Sequence, residues 1–238
     1  MKKQESELVV LFKIGDFRGL KEADSVEKIE QYELTSQGKG RLRVRVSTTD
    51  EGTRMVHTLK PKGTMDGMVR NNDEENIEVT ASYVEIFKKL AEKRYMKTRY
   101  VFSGKESIFA SDDESLELPP VKYEVDVFTR FDGQPSIWAK IDVEIQDFMQ
   151  ILDNHPDFKG KEIHASLKIS HLPFKPQEAF LISADMTDEQ RDLERRIWDE
   201  EFSQNPDGTA YKPVGSSIKK PKEEKPAPEP SEPEKIRG

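Results

Sequence analysis

The sequence predicts an α+β fold that consists mainly of antiparallel β-strands. Three observations support this prediction: short stretches in which apolar and charged residues alternate, turn residues between those stretches, and few segments with helical periodicity. Successive side chains of a strand point to opposite faces of the sheet, so strict alternation indicates a strand with one apolar and one polar face. About seven or eight stretches of the chain show this pattern.

The clearest strand pair lies in residues 41–62, where two alternating stretches flank the turn residues Asp50, Glu51 and Gly52. This arrangement is typical of a β-hairpin. The polar face of the hairpin carries Arg41, Arg43, Arg45, Lys60 and Lys62. Directly opposed side chains lie about 5 Å apart, so these cations are close together. Two interpretations stay open: an ordinary solvated face, or a face that binds an anion.

The same patterns predict the other elements of the chain. We expect strands at 7–14, 28–34, 76–80, 97–102, 122–128, 138–145 and 161–171, with a long polar loop at 63–76. Helical spacing predicts helices at 20–28, 82–95, 147–154 and 187–202. Thr187 and Gln190 fit a capping box at the start of the last helix.

The chain is expected to divide into three parts. Residues 1–184 form the β domain, residues 185–205 form a C-terminal helix, and residues 206–238 form a disordered tail. The end of the chain is rich in Pro, Glu and Lys and offers no residues for a core. The helix is expected to brace the β domain or to engage a partner protein.

Composition narrows the classes of function. The chain has 238 residues, a net charge of −8 and no cysteine. The absence of cysteine excludes disulfides and thiolate sites. The acidic balance argues against general nucleic-acid binding, although a local basic site for a small polyanion remains compatible with it. No apolar run approaches the roughly 18 residues of a membrane span, so we expect no membrane association and a cytoplasmic location.

The charged faces are sorted by sign. The middle strands carry the cations of the hairpin together with Lys97 and Arg99, whereas the later strands carry Glu124, Asp126, Asp142 and Glu144. Ordinary solvated surfaces mix both signs. If the sheet closes with these faces inward, a basic wall faces an acidic one. Such a site would hold a polyphosphate on the cations and a divalent ion on the carboxylates.

A family resemblance is carried by an ordered series of segments rather than by one motif. The series is IEQYEL, RLRVR, a DEG turn, TLK, IEV, a helix, KTRY, YEVDVF and AKIDVE. It resembles the CYTH, or triphosphate tunnel, family over roughly residues 5–146. The resemblance implies an eight-stranded antiparallel tunnel that binds inorganic or nucleoside triphosphates, and many members hydrolyse them with a divalent metal.

The resemblance also implies roles for individual residues. Phosphate oxygens would be held by Arg43, Arg45, Lys60, Lys62, Lys97 and Arg99. Catalytic roles would fall to Glu78, Asp126 and Asp142. The metal, Mg²⁺ or Mn²⁺, would be held by Glu7, Glu124, Asp126, Asp142 and Glu144.

Two departures from the family pattern separate binding from hydrolysis. The family's first strand reads ExExK, but aligning Glu7 with its first position puts Val9 and Leu11 in the other two. Lys140 stands where the family tends to have an acid. Losing carboxylates weakens a divalent-ion site. The predicted function is therefore binding of a triphosphate-type polyanion, with metal-dependent phosphohydrolase activity left open. The alternative is an inactive adaptor that engages a partner protein through residues 187–238.

Overall fold

The computed structural model of the chain describes residues 2–36, 40–61, 63–66, 69–103, 108–111, 118, 120–144, 165–167, 172, 174 and 176–212. The fold is α+β and mainly antiparallel β, as predicted. One sheet contains β1 (Lys2–Ile14), β2 (Ser25–Ser36), β3 (Gly40–Thr49), β4 (Gly52–Lys60), β5 (Thr64–Asp66), β6 (Val69–Glu78), β7 (Lys93–Phe102), β9 (Tyr123–Thr129), β10 (Pro135–Glu144) and β12 (Pro176–Leu181). A small second sheet pairs β8 (Phe109–Ser111) with β11 (Ala165–Leu167).

The first strand closes the large sheet into a barrel. One edge of β1 pairs with β10, and the N-terminal half of its other edge pairs with β6. The ring therefore runs β1-β10-β9-β7-β2-β3-β4-β6 and returns to β1. β12 extends the sheet beside the C-terminal half of β1, and β5 lies beside the start of β6. The eight-stranded closure that the family resemblance implied is present.

The basic hairpin is confirmed. β3 and β4 pair in antiparallel register from Arg41 opposite Lys60 to Thr49 opposite Gly52. Gly52 has a φ of +140°, a backbone conformation that residues with a side chain rarely adopt. The two-residue turn between the strands thus has the geometry that its sequence indicates.

The predicted polar loop at 63–76 is wrong, because β5 and β6 occupy this segment. Residues 70–76 of β6 are all polar, so this part of the strand shows none of the alternation that marks a strand, and only its end overlaps the strand predicted at 76–80. Backbone hydrogen bonding to β4 and β1 holds it extended. Closure of the barrel, rather than local pattern, determines this element.

The first two helical segments are shorter than their periodicity suggested. α1 spans Ala81–Leu90, with Thr80 as its N-cap, and β7 already begins at Lys93. Instead of a helix at 20–28, a 3₁₀ turn covers Arg18–Glu22 before β2 begins. The predicted helix at 147–154 lies outside the described residues, as does most of the strand expected at 161–171.

Much of the apolar core lies outside the barrel wall. The outward-facing residues of β1, β9 and β10 include Phe12, Val125 and Ile141, all fully buried. They pack in a cluster with residues of the connecting segments, among them Leu20 and Phe174. α1 covers a second outer face by packing Val84 and Phe87 near Tyr32 and Val44. The alternation predicted from sequence is therefore present with apolar residues outward and charged residues inward.

A C-terminal helical segment plugs one end of the barrel. α2 (Asp188–Arg196) begins with the predicted Thr187–Gln190 capping box and continues into a π-helical turn, Ile197–Phe202. Ile197 and Phe202 are buried in a cluster with Leu11 and Phe128 of the barrel. The Phe202 ring stacks on Phe128 with centroids 3.8 Å apart. The segment therefore docks on its own domain, one of its two predicted placements.

Within the described part of the chain, neither helix has the length and hydropathy that crossing a bilayer requires.

We expect Phe202→Ala to lower the free energy of unfolding by about 3–5 kcal/mol, because truncating a fully buried aromatic ring leaves a cavity. Urea denaturation followed by circular dichroism measures the change. Phe131→Ala is the matched control, since Phe131 is 47% exposed and its loss should change stability by less than about 0.5 kcal/mol. Equal effects of the two substitutions would show that the plug does not stabilise the barrel.

Candidate functional site

The barrel encloses a charged cavity of about 370 Å³. Among the described residues, ten cationic side chains line it: Arg41, Arg43, Arg45, Arg54, Lys60, Arg70, Lys97, Arg99, Lys122 and Lys140. Six carboxylates also line it: Glu7, Glu27, Glu33, Glu74, Glu124 and Asp142. Tyr95, Phe128 and Trp198 border the cavity at the plugged end. The lining is thus basic, although the whole chain carries a charge of −8.

The arginines of β3 form a row along the basic wall. Arg41, Arg43 and Arg45 alternate with outward residues, so their Cα atoms are about 7 Å apart. Arg41 lies 3.9 Å from Glu33, and Arg43 lies 3.2 Å from Glu74. The positions of the row follow from the alternation visible in the sequence.

Arg45 differs from its neighbours in the row. No carboxylate of the described residues lies within ion-pair distance of its guanidinium, whereas Arg41 and Arg43 each have one. The buried Nε of Arg45, like that of Arg43, has no hydrogen-bond partner among the described residues. Burial, with added repulsion from Arg43 and Arg99, lowers the pKa of Arg45 to about 10. The group still carries its charge at neutral pH. A buried donor without a partner is uncommon in folded proteins.

Glu74 connects two cations of the basic wall. Its Oε1 accepts a hydrogen bond of 2.8 Å from Lys60 Nζ and one of 3.2 Å from Arg43 Nη2. Burial acts to raise the pKa of Glu74, but Arg43 and Lys60 outweigh it and lower the pKa to about 2. Glu74 is therefore ionised across the physiological range and neutralises part of the wall.

Asp126 is the centre of the opposite wall and is fully buried. Arg99 binds it in a bidentate manner, with 2.8 Å from Nε to Oδ1 and 3.0 Å from Nη2 to Oδ2. Lys97 Nζ lies 2.5 Å from Oδ2, and Lys140 Nζ lies 3.5 Å from the same oxygen. Burial opposes ionisation, but these three cations hold the pKa of Asp126 well below its usual value.

The other carboxylates of this wall are paired as well. Asp142 Oδ2 contacts Lys140 Nζ, and Glu124 Oε2 contacts Arg99 Nη1. Burial acts to lower the pKa of Lys140, but Asp142 and Asp126 outweigh it and raise the pKa. The acidic wall is therefore a network of alternating charges rather than a set of free carboxylates.

Strand order explains why Lys97 and Arg99 join the acidic wall. β7 pairs directly with β9, and Arg99 lies opposite Asp126 in that register. The sequence placed both cations with the arginines of the hairpin. In the structure their charged groups are engaged by Asp126, whereas Arg43, Arg45 and Lys60 lie on the basic wall.

Of the remaining predicted site residues, Glu7 lines the cavity, whereas Glu78 does not. Glu7 lines the cavity 3.8 Å from Lys60. Glu78 is exposed and pairs with Arg54. The backbone of Glu144 pairs with that of Glu7, but its side chain is outside the described part of the structure, as is Lys62. The structure thus brings Arg43, Arg45, Lys60, Lys97, Arg99, Glu7, Glu124, Asp126 and Asp142 together around one cavity.

Arg70 and Glu74 are cavity residues that sequence reasoning missed. Both lie on β6, which was expected to be a loop. The strand period of two could have found them, because residues two apart share a face of a strand. Counting back from Glu78 in steps of two reaches Glu74 and then Arg70. Burial and the nearby Arg41 lower the pKa of Arg70.

The described carboxylates do not fit a divalent metal ion. Mg²⁺ takes about six oxygen ligands in near-octahedral geometry. No group of three or more His, Asp or Glu side chains among the described residues is arranged to hold an ion. The acids predicted as ligands contact cations instead. The metal roles stay predictions.

Comparisons with known proteins found structural likeness at low identity. No family model and no curated protein sequence matches the chain. The PH1819 protein of Pyrococcus horikoshii OT3 is 15% identical, with 80% of this chain and 99% of that one covered and a TM-score of 0.40. A putative adenylyl cyclase of Hippeastrum, HpAC1, described as having a dominant triphosphatase activity, is 10% identical over 68% and 90%, with a TM-score of 0.36. A conserved hypothetical protein of Pyrococcus furiosus is 16% identical over 66% and 94%, with a TM-score of 0.37. Values this low carry no argument about ligand or activity.

We expect Glu74 to make the protein sensitive to acid. Its pKa in the folded protein is about 2, below the ordinary value of 4.5. The stabilisation is therefore present above the ordinary pKa and is lost as the pH falls from about 4.5 to about 2. Its size is roughly 2–3 kcal/mol.

Glu74→Gln should flatten the fall in unfolding free energy over this pH range, measured by urea denaturation at several pH values. Glu51→Gln is the control, because Glu51 lies in the exposed hairpin turn. A Glu74→Gln protein with the same pH profile as the wild type would contradict the assigned ion pairs.

Proposed function

We propose that the barrel lumen binds a triphosphate-type polyanion, either a nucleotide or an inorganic polyphosphate. The observation that carries the proposal is the guanidinium of Arg45, which has no carboxylate partner among the described residues and lines a basic cavity. Planar guanidinium groups match phosphate oxygens and bind them in a bidentate manner. A ligand with phosphate oxygens would supply hydrogen-bond acceptors for the Arg45 guanidinium, which the described residues do not provide.

The shape of the basic wall favours an extended ligand. The three arginines of β3 are spaced along one strand, with Lys60 of β4 directly opposite Arg41 in the register. A single compact anion would use one or two of these groups. A chain of linked phosphates would use the row, since its negative charges are also spaced along a line. The triphosphate class therefore matches the wall better than an isolated phosphate or carboxylate does.

The proposal is one of binding rather than hydrolysis. Phosphoryl transfer depends on a metal ion and on a positioned nucleophile. The acids predicted to be catalytic are not free to position a nucleophile: Glu78 is exposed, and Asp126 and Asp142 contact cations.

The alternative function, an adaptor that binds a partner protein through its C-terminal helix, is less well supported. The plug segment buries its apolar residues against the barrel, so these residues are not exposed for contact with a partner protein.

Isothermal titration calorimetry with tripolyphosphate and ATP tests the proposal. We expect both ligands to bind and Arg45→Met to weaken binding by about ten- to a hundredfold, because a charge-assisted hydrogen bond contributes about 1.5–3 kcal/mol. Arg196→Met is the matched control, since Arg196 is an exposed arginine of α2 outside the cavity. The dissociation constant should also rise with salt, because the contacts are ionic.

Absence of heat for both ligands in the folded wild type would refute the proposal. Equal affinities of Arg45→Met and Arg196→Met would contradict the assignment of the basic wall. Phosphate release, followed in the same samples after addition of Mg²⁺ or Mn²⁺, decides whether binding is accompanied by hydrolysis.

A further inference from the structure

Lys140 occupies the space between two carboxylates of the acidic wall. Its Nζ contacts Asp142 Oδ2 and lies 3.5 Å from Asp126 Oδ2. The side chain is only 15% exposed. A cation that lies between two buried carboxylates offsets part of the charge of each, which is also what a bound metal ion would do.

The neighbouring cations contact the same carboxylates. Arg99 spans Asp126 and Glu124 and lies 3.7 Å from Asp142. Lys97 donates to Asp126 from the side of β7. Three basic side chains, Arg99, Lys97 and Lys140, therefore contact the three carboxylates Glu124, Asp126 and Asp142, although burial holds the pKa of Lys97 well below its usual value. A divalent ion placed here would meet the positive charges of Lys140 and Arg99.

One carboxylate oxygen of the acidic wall has no hydrogen-bond donor among the described residues. Asp142 Oδ1 is buried and has no hydrogen-bond partner among the described residues. A single carboxylate oxygen supplies only one of the roughly six ligands that Mg²⁺ requires. This oxygen can accept a hydrogen bond from a water molecule or from a protonated phosphate without any metal.

We propose that Lys140 is a built-in counter-cation and that the tunnel therefore takes its polyanion in the metal-free form. The inference rests on the proposed function and specifies its ligand. A polyphosphate that carries Mg²⁺ has less negative charge to offer to the row of arginines. Its metal ion would also face the lysine and arginine of the acidic wall. The metal-free polyanion keeps its full negative charge and brings no metal ion close to Lys140 and Arg99. It therefore complements the excess of cations in the cavity.

Calorimetry under two conditions tests the inference. Tripolyphosphate is titrated into the wild-type protein in EDTA and again with Mg²⁺ in excess over the ligand. We expect binding in EDTA and a dissociation constant about tenfold higher with Mg²⁺, because removing charge from one partner weakens electrostatic complementarity. Binding that requires Mg²⁺ would overturn the inference while leaving the proposed function intact. No binding under either condition would refute the proposed function itself.

A titration with Mn²⁺ alone supplies a second readout. We expect no site-specific binding of Mn²⁺ to the wild type, measured by the loss of the electron paramagnetic resonance signal of the free ion. Lys140→Met removes the bridging charge from Asp126 and Asp142 and should create measurable Mn²⁺ binding. Lys28→Met is the control, since Lys28 is exposed on β2 and lies outside the cavity. Stoichiometric Mn²⁺ binding to the wild type, or none to a folded Lys140→Met protein, would contradict the role of Lys140.

Discussion

The structure depends on one constraint: charges that point into a closed barrel must be neutralised inside that barrel. Removing an ionised group from water costs several kcal/mol unless an opposite charge and hydrogen bonds replace the lost hydration. Asp126 shows the constraint most clearly, because it is fully buried and is contacted by Arg99, Lys97 and Lys140. Glu74 provides the same compensation for Arg43 and Lys60 on the opposite wall.

A polar lumen requires the apolar core to lie elsewhere. The barrel wall sends its apolar side chains outward, where connecting segments and α1 cover them. At one end the pattern changes, because Leu11 and Phe128 face the plug residues Ile197 and Phe202. The plug has two effects. It buries the apolar end of the lumen, and it closes that end of the charged cavity. Stability and site formation thus depend on the same packing.

The charges of the candidate site are not fully compensated by the described residues, and this imbalance is the basis of the proposed function. Arg45 has no carboxylate partner among the described residues, whereas Glu74 holds its neighbour Arg43. A polyanion that enters the cavity would complete the charge balance on the basic wall. On the acidic wall, Lys140 lies between Asp126 and Asp142 and contacts both. The two walls therefore differ: the basic wall has a cation without a carboxylate partner among the described residues, whereas the acids of the other wall contact cations.

The sequence by itself determined which residues of β3, β4, β9 and β10 share a face, because alternation has a fixed period of two. On that basis the sequence predicted that Arg43 and Arg45 share one face of β3 and that Asp126 lies on the charged face of β9. It did not determine that β6 begins as early as Val69, since residues 70–76 are all polar and show no alternation. Nor did it determine that Lys97 and Arg99 belong with the acids. Only the tertiary structure decided these points. Strand neighbours and ring closure are long-range pairings, and they set which charges meet across a sheet whose individual strands look alike.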